Sequence, residues 1–245
     1  MARYVCTLLF WLLLCRVTAA QESYVATYKL EVGPLTVGKM VRSFEIQSNG
    51  TYRFESKLHA TGLASLVSKD ELLETSSGVF RQGTFHPSVY THVRKNKKKP
   101  LNVHTRFDRE NATVNTAVNG TQSSAPLLEG MLDKLIYQAA IMHDLDAGKS
   151  ELRYRITDRG EEKSYDPVVG DTAVVETQLG RFNTVTVIRE RTKDKRRTIF
   201  WCAPELGYLP IKVSNREKDG SETIALLTEY RRLDDAGSPQ PESRN

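Results

Sequence analysis

Apolar residues recur at every second position through most of this chain, the period of a strand with one buried face. Tyr24, Ala26, Tyr28, Leu30 and Val32 share one face of a first strand that stops at Gly33-Pro34. Met40, Phe44 and Ile46 share a face in the next run. Asn49-Gly50 then supplies a tight turn, because both residues tolerate positive φ, and Tyr52, Phe54 and Leu58 continue the face on the return. Thr61 to Lys69 reads as a looser apolar connection, and Asp70 to Thr75 as a further strand.

Ser88 to Asp108 reads as a hairpin in which Val93 faces Val103, Thr91 faces Thr105 and Val89 faces Phe107. Tyr90 with Arg106, His92 with His104 and Arg94 with Asn102 would fill the other face. A slip of one residue would exchange the two faces.

One segment leaves the two-residue rhythm. From Leu127 to Leu145, Leu128, Leu132, Leu135, Ala139 and Met142 follow helical spacing, and Leu127, Met131, Ile136 and Ala140 broaden the stripe. Ser124 suits an N-cap, Pro126 a first turn and Gly148 the end. Strands then resume at Leu152 to Ile156, Thr172 to Thr177, Thr184 to Arg191, Thr198 to Cys202, Leu209 to Asn215 and Thr223 to Tyr230. Turns fall at Gly180, Asp194 and Asp219-Gly220. The pattern predicts a mainly β, single domain over residues 21–233. It is a curved antiparallel sheet or open β-barrel of about a dozen strands wrapped around one long helix.

The two ends differ from this body. Met1 to Ala20 carries Arg3, a Leu-rich run and a small-residue region ending Ala19-Ala20, which reads as a signal peptide cleaved near Ala20. That predicts a periplasmic protein. Leu14 stands before Cys15 where a lipoprotein signal needs a small residue, so no lipid anchor is expected. Cleavage would leave Cys202 as the one cysteine, without an internal disulfide, and it reads as an inert, partly buried thiol. Residues 234–245 are polar and read as a disordered tail. No later run is long and apolar enough to span a membrane as a helix.

Asp158-Arg159-Gly160, the run Thr177-Gln178-Leu179-Gly180-Arg181-Phe182-Asn183-Thr184-Val185, and the block from Arg197 to Pro210 resemble exported bacterial proteins grouped as domain of unknown function 3108. The first strand, with Tyr28-Lys29-Leu30 and Gly38 ahead of Phe44, is also similar. Trp201 with Ala203-Pro204 and Tyr208-Leu209-Pro210 is the most specific part. The resemblance implies an envelope-exposed, β-rich protein and supplies no catalytic residues. The block itself reads as a fixed turn between two strands.

Candidate chemistry is sparse. Of the five histidines only His92 and His104 come near each other in the expected register, which is too few ligands for a metal site. No motif pairs a nucleophile with a base, so no catalytic residue and no cofactor is assigned. The net charge of +5, which falls by two with Arg3 and Arg16, is only mildly basic, but it is clustered. Arg94, Lys95, Lys97, Lys98 and Lys99 crowd one hairpin tip, and Arg189, Arg191, Arg196 and Arg197 another. These are the candidate contacts to an anionic envelope component. Leu128, Met131, Leu135 and Met142 on the expected helix are the candidate lining for an acyl chain. The reading that follows is a non-enzymatic module binding a lipid, glycolipid or anionic glycan. Its competitors are an interaction protein docking to an envelope protein partner, and a hydrolase of envelope polymers. Nucleic acid is excluded as a partner by the expected compartment and by the lack of stacking aromatics among the basic residues.

Overall fold

The computed structural model describes residues 22–62, 71–95, 100–191 and 195–233. The expected signal peptide and polar tail, Lys97, Lys98, Lys99 and the turn at Asp194 lie outside the described residues. The chain opens with an antiparallel series of eight strands: β1 (Ser23–Val32), β2 (Leu35–Ile46), β3 (Thr51–Ala60), β4 (Glu71–Arg81), β5 (Thr84–Lys95), β6 (Leu101–Asp108), β7 (Thr113–Val118) and β8 (Thr121–Pro126). A short β9 (Met131–Asp133) and the helix α1 (Ile136–Asp146) follow, then β10 (Tyr154–Asp158) and β11 (Glu161–Tyr165). The last strands are β12 (Val168–Thr177), β13 (Gly180–Arg191), β14 (Arg196–Ala203), β15 (Leu209–Arg216) and β16 (Glu222–Leu233). β16 pairs with β1, so both series join in one thirteen-stranded antiparallel sheet that runs from β12 to β8 without closing. A second sheet of three strands places β9 parallel to β10 and β10 antiparallel to β11.

The period-two reading holds where one face is apolar. Tyr24, Ala26, Tyr28, Leu30, Met40, Phe44, Tyr52 and Phe54 are all buried. Their rings interlock, with Phe44 stacked on Tyr24 at 5.8 Å and edge-on to Phe54 at 5.5 Å and Phe85 at 6.2 Å. Asn49-Gly50 makes the expected turn: the Asn49 side chain accepts the Thr51 amide, and Gly50 has φ +83°. A Cβ on Gly50 would lie 2.3 Å from the Phe80 carbonyl oxygen, so no other residue fits.

The helix expected over Leu127 to Leu145 is corrected. Ser124 and Pro126 are not its cap and first turn but lie in β8, paired with Asn115 and Thr113. Gly130, at φ +69°, turns the chain, and Met131 to Asp133 form a strand beside β10. The buried Asp133 carboxylate explains why the helix begins where it does. Its Oδ1 accepts the amides of Leu135 and Ile136 at 2.8 and 2.9 Å, which fixes the start of α1. The apolar stripe is therefore shared between a strand and an eleven-residue helix. Ile136, Tyr137, Ala139, Ala140, Ile141, Met142 and Leu145 are all buried, as α1 packs against β5 and β9 and Tyr137 meets Tyr165 and Phe200. Gly148 does end it, at φ +74° with its amide on the Leu145 carbonyl.

The β5–β6 register is also corrected by one residue. Tyr90 faces Thr105, His92 faces Val103 and Arg94 faces Leu101, while Val89, Thr91 and Val93 face Arg106, His104 and Asn102. His92 and His104 thus stand on opposite faces. Burial of Tyr90, Leu101, Val103 and Phe107, together with hydrogen bonds of Tyr90 and His92 to Glu74, outweighs the pairing of three β-branched residues.

Candidate anion-binding site

Antiparallel order gathers alternate connections at the same end of the sheet. The β1–β2 and β15–β16 turns and the ends of β5 and β13 lie at one end, and both basic hairpin tips belong to it. α1 runs towards the other end. There the His143 ring meets Phe80 at 4.9 Å and Met142 Sδ accepts the Tyr24 hydroxyl at 3.9 Å. The second end is thereby filled, and we call the first the open end.

On the inner face, registered pairing aligns Arg42 of β2, Ser56 of β3, Glu74 of β4 and His92 of β5 in one row across the sheet. Arg42 belongs to the inward series Met40, Arg42, Phe44. From the far side of the curve, Arg189 belongs to the inward series Val185, Val187, Arg189 on β13. Both guanidiniums bear electrostatically on the Tyr137 hydroxyl at the start of α1. Burial raises that hydroxyl to about 12 and both arginines oppose the rise. Arg42 lies over the Tyr28 ring at 5.6 Å, and Arg189 over the Tyr165 ring at 4.3 Å. Tyr165 is in turn edge-on to Tyr137 at 5.4 Å. Arg189 donates to Thr198 Oγ1 at 3.0 Å, a hydroxyl that itself donates to Asn215.

Neither Arg42 nor Arg189 is ion-paired with a carboxylate among the described residues. Each has a buried Nε without a hydrogen-bond partner, as has the Tyr28 hydroxyl. Burial raises the Tyr28 hydroxyl to about 12, with Arg42 opposing, so it remains a donor. Glu74 neighbours the site and is engaged by Tyr90 Oη at 2.6 Å and His92 Nδ1 at 3.0 Å. Burial alone would raise its carboxyl, but His92, Tyr90 and the Lys134 ammonium hold it below its ordinary value. Two half-buried guanidiniums and a tyrosine hydroxyl on the inner face are donors of the kind that a phosphate or carboxylate accepts.

A buried Ser76–Asp133 pair lies deeper. Ser76 donates to Asp133 Oδ2 at 2.6 Å, with Tyr52 Oη 3.4 Å from the same hydroxyl. Ser76 and Asp133 are wholly buried, so this pair anchors α1 to the sheet and offers no nucleophile to solvent. Cys202 is also wholly buried, and burial pushes its thiol up, away from the thiolate that reacts. No cluster of three or more His, Cys, Asp or Glu side chains suited to a metal occurs among the described residues.

The expected site residues divide accordingly. Arg189 is brought into the inner site, and Arg94 lies half-buried on the same face. Lys95 is exposed and pairs with Glu71 at 3.3 Å. Arg196 pairs with Glu217 and Arg197 with Glu190, both at 2.9 Å, and Arg191 stands exposed at the end of β13. Leu128, Met131, Leu135 and Met142 do not form one helical face. Leu128 is half-buried before β9, Met131 lies in β9 and Leu135 precedes α1; only Met142 is on the helix. Met142 also lines a cleft of about 200 Å³ at the filled end, beside the turn Pro204–Leu206, so the Trp201 to Pro210 block does form a fixed connection. Arg42, Tyr137, Tyr165 and Glu74 escaped the sequence reading, which weighs His92 only as a metal ligand beside His104. Arg42 and Arg189 carry a usable signal: Arg42 interrupts an apolar period-two series with a charge and Arg189 ends one.

No curated protein matches this chain. The structure is similar to a beta-barrel-like protein of domain of unknown function DUF1849 from Brucella abortus, with a TM-score of 0.55 and 13% identity over 87% of this chain and 99% of that one. That likeness extends to the fold. The profile described as protein of unknown function DUF3108 matches residues 23–227, and the chain belongs to that family.

Proposed function

We propose that this protein is an exported, periplasmic, non-enzymatic module that binds the acidic group of an envelope lipid, glycolipid or glycan at the open end of its sheet. One observation carries the reading: on the inner face Arg42 lies over Tyr28 and Arg189 over Tyr165, both half-buried and without a carboxylate ion pair among the described residues. Half-buried charge without a counter-ion is costly to a fold, and a bound anion offsets that cost. The leader-like residues 1–20 support export.

The test is native mass spectrometry of the protein purified from a periplasm, followed by solvent extraction of whatever it carries. We expect a bound acidic mass that disappears in the Arg42→Ala, Arg189→Ala double variant while circular dichroism stays unchanged. A bare wild-type mass, or a bound mass retained by the double variant, would overturn the assignment.

A further inference from the structure

The open end carries a feature that the anion site does not use. The β1–β2 turn is Val32-Gly33-Pro34-Leu35, apolar where hairpin turns are ordinarily polar. Val32 is 42% exposed and Leu35 63%, and Pro34 between them is exposed too. β2 is the central strand of the thirteen, so this turn projects from the middle of the open end. Scattered exposed apolar side chains are ordinary on a protein surface. Two of them on one tight turn, with a proline and no charge between, form a small apolar tip. At the same end of the sheet, with β14 four strands from β2, Arg191 faces Arg196 across the β13–β14 ladder and Arg197 follows, while the β15–β16 turn between carries Glu217, Lys218 and Asp219. The acidic partners of Arg196 and Arg197, Glu217 and Glu190, are more than half exposed. Such pairs contribute little and exchange readily for other anions. An apolar tip at the same end of the sheet as partly exposed arginines is the chemistry of a peripheral lipid contact, in which apolar burial and attraction to acidic headgroups act together.

We propose that the open end docks on an anionic bilayer. Val32 and Leu35 enter the boundary between headgroups and acyl chains, and Arg191, Arg196 and Arg197 face lipid phosphates. The inner guanidiniums of Arg42 and Arg189 then open towards the membrane, which names a lipid headgroup as the source of the anion. For that last step the inference rests on the preceding reading; the docking itself rests on the turn and the basic strand ends.

The experiment is co-sedimentation at low salt with vesicles of phosphatidylcholine alone or with phosphatidylglycerol added. Calorimetry with short-chain, monomeric phosphatidylglycerol runs in parallel. We expect the wild type to bind the phosphatidylglycerol vesicles and not the neutral ones. Leu35→Asp should weaken vesicle binding by at least about fivefold, since it replaces an inserting side chain with a charge, yet bind the short-chain lipid as the wild type does. Arg42→Ala with Arg189→Ala should do the reverse. Leu35→Trp should show a blue-shifted emission with the acidic vesicles, a readout that does not depend on the tolerance of the Asp variant. Absence of wild-type vesicle binding, equal binding by Leu35→Asp, or an unshifted Leu35→Trp spectrum would each overturn the docking. Leu35-dependent docking with short-chain lipid bound equally by the double arginine variant would keep the docking and overturn the inner anion site.

Discussion

The filled end and the open end of the inner face are built by the same strands, yet they treat polar groups in opposite ways. At the filled end Ser76 donates to Asp133, Asp133 takes two backbone amides, and Tyr24 bonds the sulfur of Met142. At the open end the Tyr28 hydroxyl, Arg42 Nε, Arg189 Nε and His92 Nε2 are buried without a partner. Gln138 Oε1 of α1 is a further buried atom without a partner. Folded proteins satisfy nearly all buried polar atoms, so the orphans gathered at the open end mark a place where bonding capacity is held for something else. The comparison separates structure from recognition within a single sheet, and substitutions on the two sides should behave differently.

The largest expected effect lies at the filled end. Phe44 is wholly buried and touches Tyr24, Tyr52, Phe54 and Phe85. Phe44→Ala should destabilise the protein by about 3–5 kcal/mol, because four rings on two sides of the hole cannot close it. Urea unfolding would read this as a lower midpoint at an unchanged slope; a loss under about 1 kcal/mol would mean that the inner face is loosely packed.

Asp133 comes next and brings a pH dependence. Burial, with Glu74 nearby, raises its carboxyl to about 6, although Ser76 and the two amides oppose this. A carboxyl raised in the folded state binds a proton there before it does so in the unfolded chain. Stability therefore increases as pH falls from about 6 towards the ordinary carboxyl value, and falls on the way back up. Asp133→Asn keeps an acceptor for the amides and should remove that slope. Asp133→Ala loses the anchor of α1 as well, and should cost about 2–4 kcal/mol at either end of the window. Unfolding curves at several pH values would distinguish the two. A slope surviving in Asp133→Asn would place its origin elsewhere. Glu74 acts with the opposite sign: its lowered carboxyl stabilises above the ordinary Glu value, and that contribution is lost as pH falls below it.

What could be read from the sequence follows the same division. Tyr24, Ala26, Tyr28, Leu30, Met40, Phe44, Tyr52 and Phe54 announce their face, because the filled end buries apolar groups and period-two alternation reports apolar burial directly. The β5–β6 register failed where the inner face turns polar. His92 and Arg94 point inward there, and a rule that pairs apolar residues picked Val89 and Val93 instead. The helix boundary failed because Asp133, three residues before Ile136, both ends a strand and accepts the amides of Leu135 and Ile136 at the helix start. A parallel β9–β10 pairing leaves no local pattern in three residues. The basic tips were visible as charge runs, but runs alone did not distinguish Arg189, which turns in, from Arg197, which turns out to Glu190. Parity within the strand did carry that information, through the series Val185, Val187, Arg189 and Met40, Arg42, Phe44.

The smallest effect is the sharpest test of the contrast. Arg42 is half-buried, has only the Tyr28 ring as a described partner, and leaves a buried Nε unpaired. If its charge served the fold, removal would cost as much as breaking a buried pair, several kcal/mol. If it serves a ligand, the empty protein gains from losing an uncompensated charge. Arg42→Met keeps much of the side-chain volume and its apolar stem contacts on the inner face. In ligand-free protein it should therefore leave stability unchanged or raise it by up to about 1 kcal/mol. The same substitution in ligand-loaded protein should lower the melting temperature, because the stabilisation that binding adds is lost with the anion contact. A destabilised empty variant would make Arg42 a structural cation and erase the distinction between the two ends.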